Sequence, residues 1–192
     1  GKTVQLIALL QHERTIDEKV GPPLLVVPTS VVGNWQRELN RFAEELKVCV
    51  HHGPDRLSGD DFAAQAFSHD VLITTYALVA RDSDTLMGVS WRRVVLDEAQ
   101  YIKNPPTKQA RAIRGLDTQR RVALTGTPVE NRLSELWSIM EFCNPGFLGD
   151  APEFRRRFAR PIERHRDVNA AASLRQLVQP FVLRRLKTDR TV

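Results

Sequence analysis

Three short stretches of the 192-residue sequence combine residue types that handle phosphate, metal and water: Gly1-Lys2-Thr3, Asp97-Glu98 and Thr125-Gly126-Thr127-Pro128. The first matches the last three positions of a phosphate loop, where backbone N–H groups cradle phosphates, Lys2 reaches the β/γ oxygens and Thr3 holds Mg²⁺. As a bare tripeptide it carries little weight. It gains weight from the amphipathic pattern directly after it, because such an anion site needs a helix N-terminus at that point. Asp97-Glu98 closes the β-branched run Val94-Val95-Leu96. Asp97 is placed to hold the metal through its water shell and Glu98 to polarise an attacking water, and solvated turn acids are the plain alternative. Thr125-Gly126-Thr127-Pro128 sets two hydroxyls beside a fixed turn, suited to sensing a γ-phosphate or contacting a backbone phosphate, or serving as a simple turn.

These residues need elements that bring them together. The spacing of Val4, Leu6, Ile7, Leu9 and Leu10 predicts a helix from Thr3 to about Glu13, and Gly21-Pro22-Pro23 then breaks the chain before a strand at Leu24 to Val27. The alternation continues with a helix at Val31 to Phe42, a strand at Lys47 to His51, a helix at Asp55 to Phe67 and a strand at Val71 to Thr75. A helix starts near Tyr76, and strands end at Asp97 and Thr125. Such alternation implies a parallel sheet, and in open α/β sheets ligands bind beyond the carboxyl ends of the strands. The motifs fall at those ends. Past Pro128 the pattern becomes helical, at Glu135 to Phe142, Glu153 to Phe158 and Asn169 to Val178, which reads as an appendage.

Composition narrows the class. With 42% hydrophobic residues the chain can bury one core, and 28 Lys+Arg against 23 Asp+Glu give a net charge of +5, which favours an anionic partner. Only Cys49 and Cys143 are present, both among apolar neighbours, so no disulfide framework is expected and a reduced cytosol is the simplest location. No apolar run is long enough to span a bilayer. Trp35, Trp91 and Trp137 read as core, and His51-His52 lacks the Cys/His partners of a zinc site. The stretch holding Arg155, Arg156, Arg157, Arg160, Arg164 and Arg166 either flanks a phosphate backbone or forms a solvated face, since Phe154, Phe158 and Ile162 alternate through it.

In this order the motifs resemble the Swi/Snf family of helicase superfamily two. The resemblance covers almost the whole chain: Gly1-Lys2-Thr3, Leu24 to Ser30 with Asn34-Trp35 and Glu38, His52-Gly53, Thr74-Thr75-Tyr76, Asp97-Glu98-Ala99-Gln100 with Lys103-Asn104, and Leu124 to Pro128. Its most discriminating parts are Asn131-Arg132 with Glu135-Leu136-Trp137-Ser138, and Phe181 to Lys187. The resemblance implies a prokaryotic member, an α/β RecA-like P-loop lobe over 1–128, a helical appendage over 129–180, and a segment over 181–192 leading toward a second lobe. It implies ATP and Mg²⁺ as cofactors, with Gly1, Lys2, Thr3, Asp97, Glu98 and Gln100 at the nucleotide, and Lys2, Asp97 and Glu98 as catalytic residues.

The implied activity is ATP-driven movement along double-stranded DNA through its phosphate backbone, with Pro28, Thr29, Ser30, Thr74, Thr75, Thr125 and Thr127 facing the DNA. A strand-separating helicase of the same superfamily is the competing enzyme, and a binding module without hydrolysis is the expectation for this lobe alone. Gln100 stands where many relatives carry His, so any coupling there works through an amide that does not titrate near neutral pH. Arg184 and Arg185 are not the arginines that complete the site in this family, which lie in the second lobe. With Gly1 as its first residue, the chain is expected to be a piece that binds ATP weakly by itself. The expected location is the cytoplasm, at the nucleoid in a prokaryote, or the nucleus in a eukaryote.

Overall fold

The computed structural model describes residues 1–14, 21–126 and 132–183. Strands β1 (Leu24–Val27), β2 (Val48–Val50), β3 (Val71–Thr75), β4 (Trp91–Leu96) and β5 (Thr118–Ala123) form a five-stranded sheet in the order β2-β3-β1-β4-β5. All four pairings are parallel. Parallel neighbours cannot be joined by a tight turn, so helices carry the crossovers: α2 (Val32–Phe42), α3 (Gly59–Phe67), α4 (Tyr76–Arg81), α5 (Ser83–Met87) and α6 (Lys108–Arg114), while α1 (Lys2–Arg14) precedes β1. The chain passes from β3 on one side of β1 to β4 on the other. The topological switch therefore lies where β1 runs into Pro28 and β4 into Asp97.

Every residue of β1 and β3 is buried, as strands covered on both faces must be. Leu24 and Val26 point into a cluster with Leu72, Val94, Trp91 and the α3 to α6 side. Leu25 and Val27 point the other way, to Ile73, Val95, Leu6, Ile7 and Trp35 of α1 and α2. Gly21 runs beside the start of β4, where an added Cβ would meet the Ser90 carbonyl oxygen at 2.3 Å; only glycine fits there.

Two departures from expectation have a visible side-chain cause. The helix expected from Asp55 begins at Gly59, because the Arg56 side chain folds back to donate to the Gly53 carbonyl (2.6 Å) and to Asp82, holding 53–57 as a loop. The helix after Tyr76 is divided at Asp82, whose carboxylate faces Arg56 and His51.

The appendage consists of α7 (Leu133–Cys143), α8 (Ala151–Phe154), a π-helical turn over Arg155–Ala159, α9 (Arg160–His165) and α10 (Val168–Val178). It has its own cluster of Leu136, Trp137, Met140, Leu148, Phe154, Phe158 and Leu174. Helix α7 serves both cores, since Ile139 and Phe142 from the same helix pack in the sheet cluster. Arg155, Arg156 and Arg160 line a groove of about 460 Å³ with Ala151 and Pro152, while Phe154 and Phe158 face inward: the amphipathic split expected from the sequence.

Candidate nucleotide site and nucleic-acid edge

Asp97 leaves β4 at the switch point, with its N–H donating to the Val26 carbonyl of β1 at 2.9 Å. Its carboxylate is held from two sides. The indole N–H of Trp35 donates to Oδ2 at 2.8 Å, and the backbone N–H of Glu98 donates to Oδ1 at 3.0 Å. Each oxygen keeps a lone pair for another partner, so the group fits a hard cation or its water shell. Glu98 sits in the left-handed region at φ 52, ψ 57, a conformation that is strained for a residue with a long side chain. Several bonds on either side hold it there. The Tyr76 hydroxyl donates to the Asp97 carbonyl at 2.7 Å, and the Ala99 N–H donates to the Leu124 carbonyl at 2.9 Å. Burial, followed by the charges of Asp97 and Glu98, pushes the Tyr76 phenol far above its ordinary pKa, so it stays a donor at every accessible pH.

The strained turn aims Glu98 into a short polar chain. The Gln100 amide donates to Glu98 Oε2 at 2.7 Å, and the Thr125 hydroxyl donates to Gln100 Oε1 at 3.0 Å. Gln100 thus bridges the acidic pair at the end of β4 to the residues after β5. An amide suits this place because it donates and accepts at once. Among the described residues the chain of bonds engages Glu98 through Oε2 alone.

Lys2 and Thr3 open α1, with Lys2 exposed and Thr3 half-buried. No acidic residue stands in the first turn, so its N–H groups and positive dipole end are unopposed. Leu6 and Ile7, one turn further on, share a cluster with Trp35 and Val95, which ties α1 to the sheet face that carries Asp97.

On the expected DNA edge, Thr29 and Ser30 are exposed in a 3-10 turn, Thr29–Val31, directly after β1. Pro28 is buried and shapes the turn, its carbonyl accepting from Val31 N–H at 3.0 Å. Thr74 and Thr75 are turned inward. The Thr74 hydroxyl donates to the His51 carbonyl at 3.2 Å, and the Thr75 oxygen caps α4 by accepting from Leu78 N–H at 3.4 Å. They brace the edge, and Thr29 and Ser30 present the donors. Thr127, Pro128, Asn131 and Arg184 to Lys187 lie outside the described residues.

Sequence reasoning took Trp35 as core and gave Tyr76 no chemical part; both hold the acidic pair. Trp35 is 2% exposed, so it is core as well. The signal that could have found its second role is an indole N–H in a helix starting five residues after a strand end, since a buried indole needs an acceptor. His51 also gains an assignment: buried against Phe62, with its Nε2 3.1 Å from Asp82 Oδ2, it is a packing residue of the β2 edge. The family-like block on α7 braces the turn after Glu98. Ser138 donates to the Ile102 carbonyl, and Glu135 lies 3.9 Å from Lys103 Nζ.

A parallel sheet with an acidic pair, a bridging amide and a helix-borne Lys-Thr at its carboxyl edge defines a RecA-like α/β lobe. The chain belongs to the SNF2-related domain family, whose family model matches residues 1–191. It is 50% identical over 192 residues to YwqA of Bacillus subtilis, whose name is "Putative ATP-dependent helicase/translocase YwqA", covering 100% of this chain and 21% of that protein. It is 36% identical over 211 residues to the TATA-binding protein-associated factor mot1 of Schizosaccharomyces pombe, covering 98% of this chain and 11% of that one. The SWI2/SNF2 ATPase core of Sulfolobus solfataricus, solved in complex with dsDNA, superposes with a TM-score of 0.89 at 42% identity, covering 100% of this chain and 39% of that one. The chain thus spans about a fifth of YwqA.

Proposed function

We propose that this chain is the first lobe of an ATP-dependent motor that moves along duplex DNA, and that Glu98 is the residue that activates water. The observation that carries the reading is the left-handed Glu98 at the end of β4, aimed by Tyr76, Asp97 and Gln100. A strained conformation held by several hydrogen bonds is what a preorganised catalytic group requires. The Sulfolobus core and YwqA support the assignment through dsDNA and ATP, respectively, in their names.

In this reading Lys2 and the N–H groups opening α1 hold the nucleotide phosphates, and the Thr3 hydroxyl and Asp97 hold Mg²⁺. The cation, when bound, supplies positive charge against the phosphate oxygens. Glu98 Oε1 accepts from the attacking water, and Gln100 fixes the Glu98 carboxylate while reporting to Thr125. Thr29 and Ser30 donate to DNA phosphates, contacts that position the protein without reading sequence. A second lobe of the intact protein completes the site, so the 192 residues alone bind without turning over.

Glu98→Gln in the intact protein tests this. The variant retains nucleotide binding and loses duplex-stimulated hydrolysis by at least about a hundredfold, the range for removing a positioned base. Turnover at the parent rate would remove Glu98 from the mechanism. A strand-displacement assay run alongside reads little separation for a translocase and efficient separation for a helicase.

A further inference from the structure

The three tryptophans make unequal hydrogen bonds. Trp91 donates its indole N–H to the Leu86 carbonyl at 2.9 Å and Trp137 donates to the Gly149 carbonyl at 3.0 Å. Both are the ordinary solution for a buried indole, a neutral main-chain acceptor close in sequence. Trp35 instead donates to a carboxylate 62 residues away, Oδ2 of Asp97, at 2.8 Å. Charge-assisted bonds of this length are stronger than bonds to a carbonyl.

The place of Trp35 in the chain adds the second half of the argument. The turn Thr29–Val31 presents the exposed Thr29 and Ser30 and runs without a break into α2 at Val32. Trp35 lies in the first turn of that helix, so a short helical segment is all that separates Ser30 from the indole. Leu39, one turn further, is fully buried and Trp35 nearly so, which makes α2 a rigid body seated on the sheet face that also holds Val27 and Val95. A shift of the exposed turn moves the indole with it, and the indole ends on Asp97.

We propose that Trp35 is a positioning residue that couples the phosphate-facing Thr29–Val31 turn to the Asp97 carboxylate, so that duplex DNA engaged at one is felt by the nucleotide at the other. The inference rests on the proposed function for the identity of the two ligands. It adds the physical link between them, which runs through one indole N–H. The Gln100–Thr125 chain reaches Glu98 from the other side, and the Trp35 bond is independent of it.

The test is a binding measurement on the intact protein, in a Glu98→Gln background so that nothing turns over. Affinity for a fluorescent ATP analogue with Mg²⁺ is measured with and without a short duplex, and the ratio is the coupling factor, usually about 5 to 150 where two sites communicate. Trp35→Phe keeps most of the ring and removes the N–H. The expected result is a coupling factor within about twofold of unity, while duplex affinity in the absence of nucleotide stays within about twofold of the parent. A merely structural tryptophan would lower the melting temperature and leave the coupling factor at the parent value, which overturns the inference. If Trp35→Phe does not fold, 3-benzothienylalanine at position 35 replaces N–H by sulfur at nearly constant shape, and the same two outcomes decide. A parent protein that binds both ligands without coupling overturns the inference alone. A parent that fails to bind duplex at all also overturns the proposed function.

Discussion

Glu13 offers a quantitative test of how α1 is held. It stands at the far end of the helix that Lys2 and Thr3 open, and it is buried beneath β4 and β5, where it accepts from Arg93 Nε at 3.0 Å, from Arg93 Nη2, and from Arg120 Nη1 at 3.0 Å. Glu13 and Arg93 are each 8% exposed, whereas the Arg120 side chain is 51% exposed and adds little. Glu13→Gln removes the charge and one acceptor, leaving Arg93 buried without its counter-ion. Breaking a buried pair costs about 3–5 kcal/mol, and the remaining amide oxygen offsets part of that, so we expect about 3 kcal/mol. For a chain of this size that corresponds to a melting temperature lower by about 6–12 °C.

The acid limb carries a second signature of the same pair. Burial raises the Glu13 carboxyl pKa, but the hydrogen bonds and charges of Arg93 and Arg120 outweigh it and leave the pKa below the ordinary 4.5. The folded protein therefore resists protonation more than the unfolded chain does. The resulting stability is fully present above pH 4.5 and drains as the pH falls through the lowered folded value. Urea denaturation of parent and variant from pH 7 to pH 3 reads both effects, and the gap between them should narrow at the acid end. A Glu13→Gln variant within about 0.5 kcal/mol of the parent at pH 7 would refute the reasoning.

Two further outcomes follow from a buried and a half-buried titratable group, His51 and Cys143. Burial lowers the His51 pKa below 6.5 against the opposing pull of Asp82, with Arg56 and His52 adding to the lowering. The unfolded chain thus takes up a proton that the folded one resists, so stability falls as the pH drops through 6.5, and His51→Gln should flatten that part of the profile in denaturant melts. Burial pushes the Cys143 thiol up to about 11 from 9.0, so at pH 8 its thiolate is about a hundredfold scarcer than in an ordinary cysteine. Titration with an aromatic disulfide should show the half-buried Cys143 reacting slowly until denaturant is added, and a fast native reaction at this position would contradict the raised thiol pKa.

The sequence by itself determined the class of fold and the edge of the sheet at which the candidate site residues gather. Apolar runs at Leu24 to Val27, Val71 to Thr75 and Val94 to Leu96, spaced by helical patterns, can bury their side chains only in a covered parallel sheet, and a sheet of that kind collects its functional groups at the strands' carboxyl ends. Asp97, Glu98 and Thr125 were legible for that reason, and Gln100 only through the family resemblance of Asp97-Glu98-Ala99-Gln100. Helix starts were less so: Asp55 to Ser58 has acceptable helical composition, and a long-range pairing of Arg56 with Asp82 withholds it. The same limit applies to the site. Thr74 and Thr75 carry hydroxyls of the right type at a strand end, yet tertiary packing turns both inward and leaves Thr29 and Ser30 to face outward. Only the tertiary structure decided that Trp35 meets Asp97 and Tyr76 meets the carbonyl beside the left-handed Glu98. Hydrophobic periodicity records which face of an element is buried, but not which polar atom a buried side chain finds across the core, because that partner is set by the packing of elements far apart in the chain.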